Sequence, residues 1–282
     1  MVNDTAGTKR FDVKGDYLMG RSTAETDRLM TQAAILEPIT RRLLDRAGLR
    51  SGMRVLDVGC GAGDVSLLAG EMVGPGGAVL GIDHNASVLA TARERAGSMG
   101  LRHVEFHEHS VASFSDRDGF DVVVGRYVLA HQDDPPSFLK NIGCFVRAGG
   151  TLALHEFSPR AGLYSAPAVQ LYDDVCDAIV GAFKAVTPHH DAADRFVSHF
   201  HKAELPEPAL SSEVPVGGGL RSPFYAWLAG VFRSVQPVVE KHGLWRHGTM
   251  PGNDLESELR AAAVRIHSQV RMPEQICAWV RL

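Results

Sequence analysis

What this chain has little of excludes several classes of protein. Only four cysteines occur in 282 residues: Cys60, Cys144, Cys176 and Cys277. None lies in a CxxC pair, so neither a zinc signature nor a disulfide framework is expected, which fits the reducing cytoplasm. No apolar run of about 18 residues occurs, and no charged segment followed by a shorter apolar run opens the chain. A membrane span and a secretory leader are therefore not expected. Basic residues are not in excess: 29 Lys and Arg stand against 33 Asp and Glu, for a net charge of −4. That balance disfavours nucleic acid as a partner. No internal repeat is found.

What is present reads as an ordinary globular chain, 45% hydrophobic and 22% charged. The length suits one large domain or a core with an inserted cap. The organising stretch is Val55-Leu56-Asp57-Val58-Gly59-Cys60-Gly61-Ala62-Gly63-Asp64. A short apolar run reads as a buried strand, alternating glycines as a tight turn, and Asp64 onward as a helix start. Glycines there let a ligand approach main-chain N–H groups with no Cβ in the way. The spacing is G-x-G-x-G, not the dinucleotide G-x-G-x-x-G, and a carboxylate at Asp57 would repel a diphosphate while suiting an ammonium group. A second apolar run, Ala78–Asp83, ends in an acid twenty residues past Gly63. At the tip of the adjacent strand Asp83 can accept both hydroxyls of a ribose. An ammonium partner, a glycine floor and a ribose acceptor together outline S-adenosylmethionine (SAM) as cofactor.

On these residues the chain resembles the class I SAM-dependent methyltransferases, especially the small-molecule group related to the quinone C-methyltransferases. The resemblance covers most of residues 15–160. It implies a Rossmann-like, doubly wound, seven-stranded α/β sheet, mostly parallel with an antiparallel last strand, plus helical cap elements. It further implies that the N-terminal segment lies over the cofactor, with Tyr17 and Gln32 in the lid. Ser110 stands where the family often places an Asp for the adenine amino group. Cys60, His84 and Val111 are assigned to the cofactor site with Asp57, Gly59, Gly61, Gly63 and Asp83. After the fourth strand, Gly125-Arg126-Tyr127-Val128-Leu129-Ala130-His131 resembles the family's segment beside the methionine moiety and the methyl acceptor. Arg126 is expected near the cofactor carboxylate or shaping that loop, and His131 is a candidate base or orienter. Its competing reading is a polar residue ahead of a helix.

Five strands are expected at Arg54–Val58, Ala78–Asp83, Val104–His107, Phe120–Gly125 and Thr151–Phe157, with helices at Ser87–Met99 and Pro136–Val146. Thr23 to Ala47 reads as one or two helices with a kink or break at Pro38. Beyond Ser158, helices are expected at 166–186, Asp191–Ala203, Phe224–His242 with a break at Pro237, and Leu255–Gln269. Strands are expected at Pro208–Val216 and Gln275–Leu282. The division drawn is a lid (1–50), a SAM-binding core (51–158), a cap insertion (159–188), a core helix and strand (189–219), a second cap insertion (220–265) and the last core strand (266–282).

His155-Glu156 is expected at the tip of the fifth strand facing the cleft, with Glu156 orienting a substrate or pairing with a basic neighbour. His189-His190-Asp191 offers a base in His189, against the plainer reading that Asp191 caps the following helix. His107 and His109 read as solvated strand-end histidines, and no metal site is expected. The function expected is methyl transfer to a small molecule, driven mainly by positioning. No N-P-P-[YF] sequence follows the fourth strand, which disfavours amino-group methylation of nucleobases or glutamine. A SAM-binding cyclase or decarboxylase that keeps its methyl group is the alternative, followed by a nicotinamide oxidoreductase and a non-catalytic module. A homodimer is left open.

Overall fold

The structure, a computed structural model, describes residues 23–160 and 163–282, with side chains from residue 28 onward. The first half alternates strand and helix. After α1 (Thr23–Arg46) come β1 (Arg54–Val58), α2 (Asp64–Val73), β2 (Ala78–Asp83), α3 (Ala86–Ser98) and β3 (Val104–Glu108). Then follow β4 (Phe120–Arg126), α4 (Pro135–Gly143) and β5 (Val146–Ser158). The second half contributes β6 (Ser165–Ala166), α5 (Gln170–Val186), α6 (Phe196–Lys202), β7 (Ala209–Glu213) and β8 (Val216–Gly218). It closes with α7 (Phe224–Lys241), α8 (Leu255–Arg265), β9 (Gln269–Arg271) and β10 (Glu274–Arg281).

Seven strands form the main sheet in the order β3-β2-β1-β4-β5-β10-β7. The first five run parallel, and β10 is antiparallel to both β5 and β7. This is the expected doubly wound sheet. The chain direction across it reverses between β1 and β4, so a crevice opens beyond their carboxyl ends. One face buries Ile39, Leu43 and Leu44 of α1 with Leu67, Leu68, Leu89 and Ala92 of α2 and α3. The other face buries Leu139 and Ile142 of α4 with Phe196 and Phe200 of α6. A third apolar cluster joins α5, α7 and α8 to Leu36 of α1. Among the described residues no helix is long and apolar enough to cross a membrane.

The departures from expectation have physical causes. Pro38 and Pro237 lie inside continuous helices. Each is flanked by buried residues (Leu36 and Ile39, Val235 and Val239), so tertiary packing outweighs a lost backbone bond. Val146 leaves the helix expected to contain it, because Val146 pairs with Phe120 at the start of β5. The helix expected through Gln269 ends at Arg265, where His267 takes a left-handed backbone (φ 53°). Beyond that turn β9 pairs with β6 and β8 in a small sheet too short to leave a periodic pattern. The strand expected over Pro208–Val216 is divided between β7 and β8, with Pro215 between them.

Candidate cofactor site

The glycine turn between β1 and α2 holds three left-handed residues, Gly59 (φ 66°), Gly61 (φ 52°) and Gly63 (φ 86°). They serve different ends. A Cβ on Gly59 would stand 2.6 Å from Val128 Cγ1, and one on Gly63 2.9 Å from Phe106 Cζ. Both glycines therefore permit close packing within the protein. A Cβ on Gly61 would meet nothing within 4 Å, so this is the member that borders open space. Cys60 turns its thiol inward, where burial pushes its pKa well above the usual value.

Asp83 stands beside that opening at the tip of β2, with its side chain 12% exposed. Its Oδ2 accepts the Gly61 N–H at 3.0 Å and its Oδ1 the Asn85 N–H at 2.9 Å. A carboxylate offers about four lone-pair sites, so each oxygen keeps capacity for one hydroxyl of a ribose. His84 is exposed, with Nδ1 3.5 Å from Asp83 Oδ1. Ser110, at the end of β3, is exposed and turned to its own loop: its hydroxyl bonds Ser113 Oγ at 3.0 Å. Val111 is half-buried beside it.

Asp57 is placed differently from expectation. Only 1% exposed, it accepts the Ser66 hydroxyl at 2.6 Å on the α2 side of the sheet. Burial raises its carboxyl to about 7, partly offset by the Ser66 bond and the Arg126 charge. Strand alternation aims it into the α2 layer, so a ligand ammonium has no direct path to it in this conformation. Arg126 is likewise turned into the protein, bonding Thr40 Oγ1 at 3.3 Å and Asp64 Oδ2 at 3.3 Å. Both partners lie outside the loop after β4, one on α1 and one at the start of α2. Gln32 ties α1 to α7: its Oε1 accepts from Arg28 Nη1 at 2.9 Å and from Trp227 Nε1 at 3.2 Å. Gln32, expected in the lid, thus makes a helix–helix bond. Tyr17 lies outside the described residues.

His155 and Glu156 are not at a strand tip, because β5 runs on to Ser158 and β10 covers it. Both are buried on opposite faces of the sheet. Glu156 Oε1 accepts the N–H groups of Val128 (2.8 Å) and Leu129 (2.7 Å), and burial raises its carboxyl to about 7 despite them. The catalytic role expected of Glu156 gives way to holding the loop after β4. That loop opens on Tyr127, a non-glycine residue at φ 59°. Its ring meets His155 and Phe157 edge-on, with centroids 5.8 and 5.1 Å away, and Phe157 continues to Phe183 of α5 at 5.5 Å. His131 ends the following 3-10 turn with its surface open to solvent, yet the protein crowded around it disfavours the imidazolium and lowers its pKa. His189 is brought to the same loop, its Nε2 3.2 Å from the Asp133 carbonyl oxygen. Asp191 bonds Arg195 at 2.7 Å. Among the described residues no group of three or more His, Cys, Asp or Glu could hold a metal ion.

Sequence reasoning missed Thr40, Gln275, Arg95 and the bonding role of Asp64. Arg95 Nη1 holds the Ala62 carbonyl at 2.6 Å and Asp64 Oδ1 at 2.7 Å, bracing the glycine turn. A lone Thr inside an apolar helical stripe was the available signal for Thr40. The cavity at the opposite, amino end of the strands, about 580 Å³ and lined by Asp121, Arg147, Thr151 and Trp279, holds none of these groups.

The strand order, the open Gly61 and the pinned Asp83 define a class I methyltransferase domain, and the cofactor of that class is SAM. A family profile described as a methyltransferase domain matches residues 49–197, more than half of the chain, and the chain belongs to that family. It is 33% identical over 146 residues to aklanonic acid methyltransferase of Streptomyces sp. (strain C5), covering 51% of this chain and 65% of that protein. It is 37% identical over 126 residues to nocamycin O-methyltransferase of Saccharothrix syringae, covering 44% of this chain and 45% of that one. The match spans less than two thirds of either relative. A putative methyltransferase structure from Bacillus halodurans C-125 shares the fold at TM-score 0.56 and 18% identity, over 86% of this chain and 97% of that one.

Proposed function

We propose that this protein transfers a methyl group from SAM to a small-molecule acceptor. The observation that carries the reading is the Asp83 carboxylate, fixed by Gly61 and Asn85 N–H groups beside the one turn glycine that faces open space. Asp83 takes the ribose hydroxyls and the Gly61 backbone forms the floor. When bound, SAM supplies a methyl carbon on a positively charged sulfur that leaves as a neutral thioether. The protein's part is to hold the acceptor in line behind that carbon and to keep water away. The half-buried rings of Tyr127, Phe157 and Phe183 offer an apolar wall at the carboxyl ends of β4 and β5, which suits a planar or apolar acceptor. His131, on the same loop and favoured in its neutral form, is ready to take an acceptor proton, and His189 stands beside that loop as a second candidate. The relatives' names, aklanonic acid methyltransferase and nocamycin O-methyltransferase, support an acceptor of small-molecule biosynthesis. Cysteines that stand free support action in the cytoplasm.

The test is incubation with SAM and a panel of planar phenols and carboxylic acids, following S-adenosylhomocysteine and methylated product together. Both should accumulate in equal amounts. An acceptor converted without S-adenosylhomocysteine would transfer the assignment to a cyclase or decarboxylase that leaves the methyl group in place.

A further inference from the structure

A single chain of hydrogen bonds runs from Tyr127, just beyond β4, to the glycine turn, and two of its members, Thr40 and Gln275, lie in no motif. Tyr127 Oη is 2.6 Å from Gln275 Oε1, and His155 Nε2 is 3.1 Å from the same oxygen. His155 Nδ1 is 3.0 Å from Thr40 Oγ1, and Arg126 Nη1 reaches that hydroxyl at 3.3 Å. Arg126, 9% exposed, then extends Nη2 to Asp64 Oδ2.

The direction of each bond follows from the far end. Gln275 Nε2 donates to the Pro273 carbonyl at 2.8 Å, so Gln275 Oε1 is the atom that faces Tyr127 and His155. An amide oxygen only accepts. Tyr127 therefore donates, and His155 carries its proton on Nε2. Buried beside the Arg126 guanidinium, the His155 imidazole is held neutral, its pKa lowered to about 3, which leaves Nδ1 as a bare acceptor. Thr40 gives its proton to Nδ1 and turns a lone pair to Arg126. Asp64, which Arg126 grips, is the first residue of α2 immediately after Gly63, and Arg95 holds its other oxygen and the Ala62 carbonyl.

We propose that Thr40 and His155 are positioning residues for the cofactor, acting through Arg126 and Asp64 to set the glycine turn against α1. The inference rests on the reading of that turn as the SAM floor. Neither residue touches the cofactor in this account. A neutral histidine suits the task because an imidazolium would have no acceptor at Nδ1 for the Thr40 proton and would set a second positive charge beside Arg126. Without the Nδ1 acceptor, the Thr40 proton is left with the Leu36 carbonyl at 3.3 Å.

The experiment measures SAM affinity by calorimetry on the full chain, with thermal melting in parallel. Thr40→Val keeps the shape and removes the hydroxyl; Thr40→Ser keeps the hydroxyl and removes a buried methyl. SAM should bind Thr40→Val roughly ten-fold more weakly and Thr40→Ser within about two-fold of wild type, although both melt lower. Affinity would then follow the hydroxyl and not the stability. Gln275→Leu, which removes the acceptor for His155 Nε2, should weaken SAM binding in the same direction and carries the test if Thr40→Val does not fold. Wild-type affinity in folded Thr40→Val or Gln275→Leu overturns the inference, as does a Thr40→Ser variant as weak as Thr40→Val. Wild-type protein that does not bind SAM overturns the function reading and this inference with it.

Discussion

Two loops face each other at the carboxyl ends of β1 and β4, and both need left-handed backbone. The first obtains it from Gly59, Gly61 and Gly63, for which a positive φ carries no Cβ penalty. The second imposes it on Tyr127 and holds the residue by its neighbours: the phenol on Gln275, the N–H on the His155 carbonyl, and Glu156 beneath the next two N–H groups. A strained residue persists where the surroundings over-determine it. The two loops meet at Val128, which fills the space that a Gly59 Cβ would occupy. One loop is thus shaped by what its residues lack, the other by what surrounding side chains supply.

Substitutions can separate the two strategies. The largest expected effect is Gly61→Val. With no protein atom within 4 Å of the new Cβ, the fold should lose only about 1–2 kcal/mol to the positive φ. SAM binding should fall more than about 100-fold, because the side chain takes the ligand's place. Calorimetry beside a thermal melt checks both halves, and full binding would show that Gly61 is not the floor. Next is Glu156→Ala, which leaves two buried N–H groups without an acceptor and should cost roughly 2–4 kcal/mol in denaturant unfolding. Glu156→Gln, which keeps an oxygen for them, should stay within about 1 kcal/mol of wild type. Equal losses for the two would mean the bonds to Val128 and Leu129 do not hold the loop. Gly63→Ala should cost about 1–3 kcal/mol, since its Cβ presses on Phe106 and Ala92. Its effect should appear in stability, and the folded fraction should bind SAM nearly as wild type does.

The last effect is a pH trend. Folding raises the Asp57 carboxyl from its ordinary 3.8 to about 7. The folded state therefore keeps a proton that the unfolded chain releases, so the stability from this group is full below about pH 4 and declines as pH rises to about 7. Asp57→Asn removes that decline. Its melting temperature relative to wild type should improve from about pH 5 to about pH 8. A constant difference across that range would contradict the placement of Asp57.

The same contrast explains what could be read in the sequence. The strands β1 and β2 were legible residue for residue, because apolar runs bounded by glycine and acid leave a local record. Asp83 and the glycine turn were legible for the same reason. The roles of Asp57, Arg126, Gln32 and Glu156 were not, because each depends on which face of its element is buried and on a partner far along the chain. Thr40 and His155 are separated by 115 positions, and Tyr127 and Gln275 by 148. No local pattern encodes such pairs. The small sheet of β6, β8 and β9 escaped because two or three residues cannot show a period.

The central claim is that Asp83 and the open glycine turn hold SAM, and titration calorimetry of wild type against Asp83→Ala tests it most directly. Wild type should bind SAM, and the variant should lose about 1.5–3 kcal/mol of binding free energy with its fold intact, through the loss of charge-assisted bonds to the ribose. Equal affinity in the two proteins, or no binding by wild type, would contradict the account.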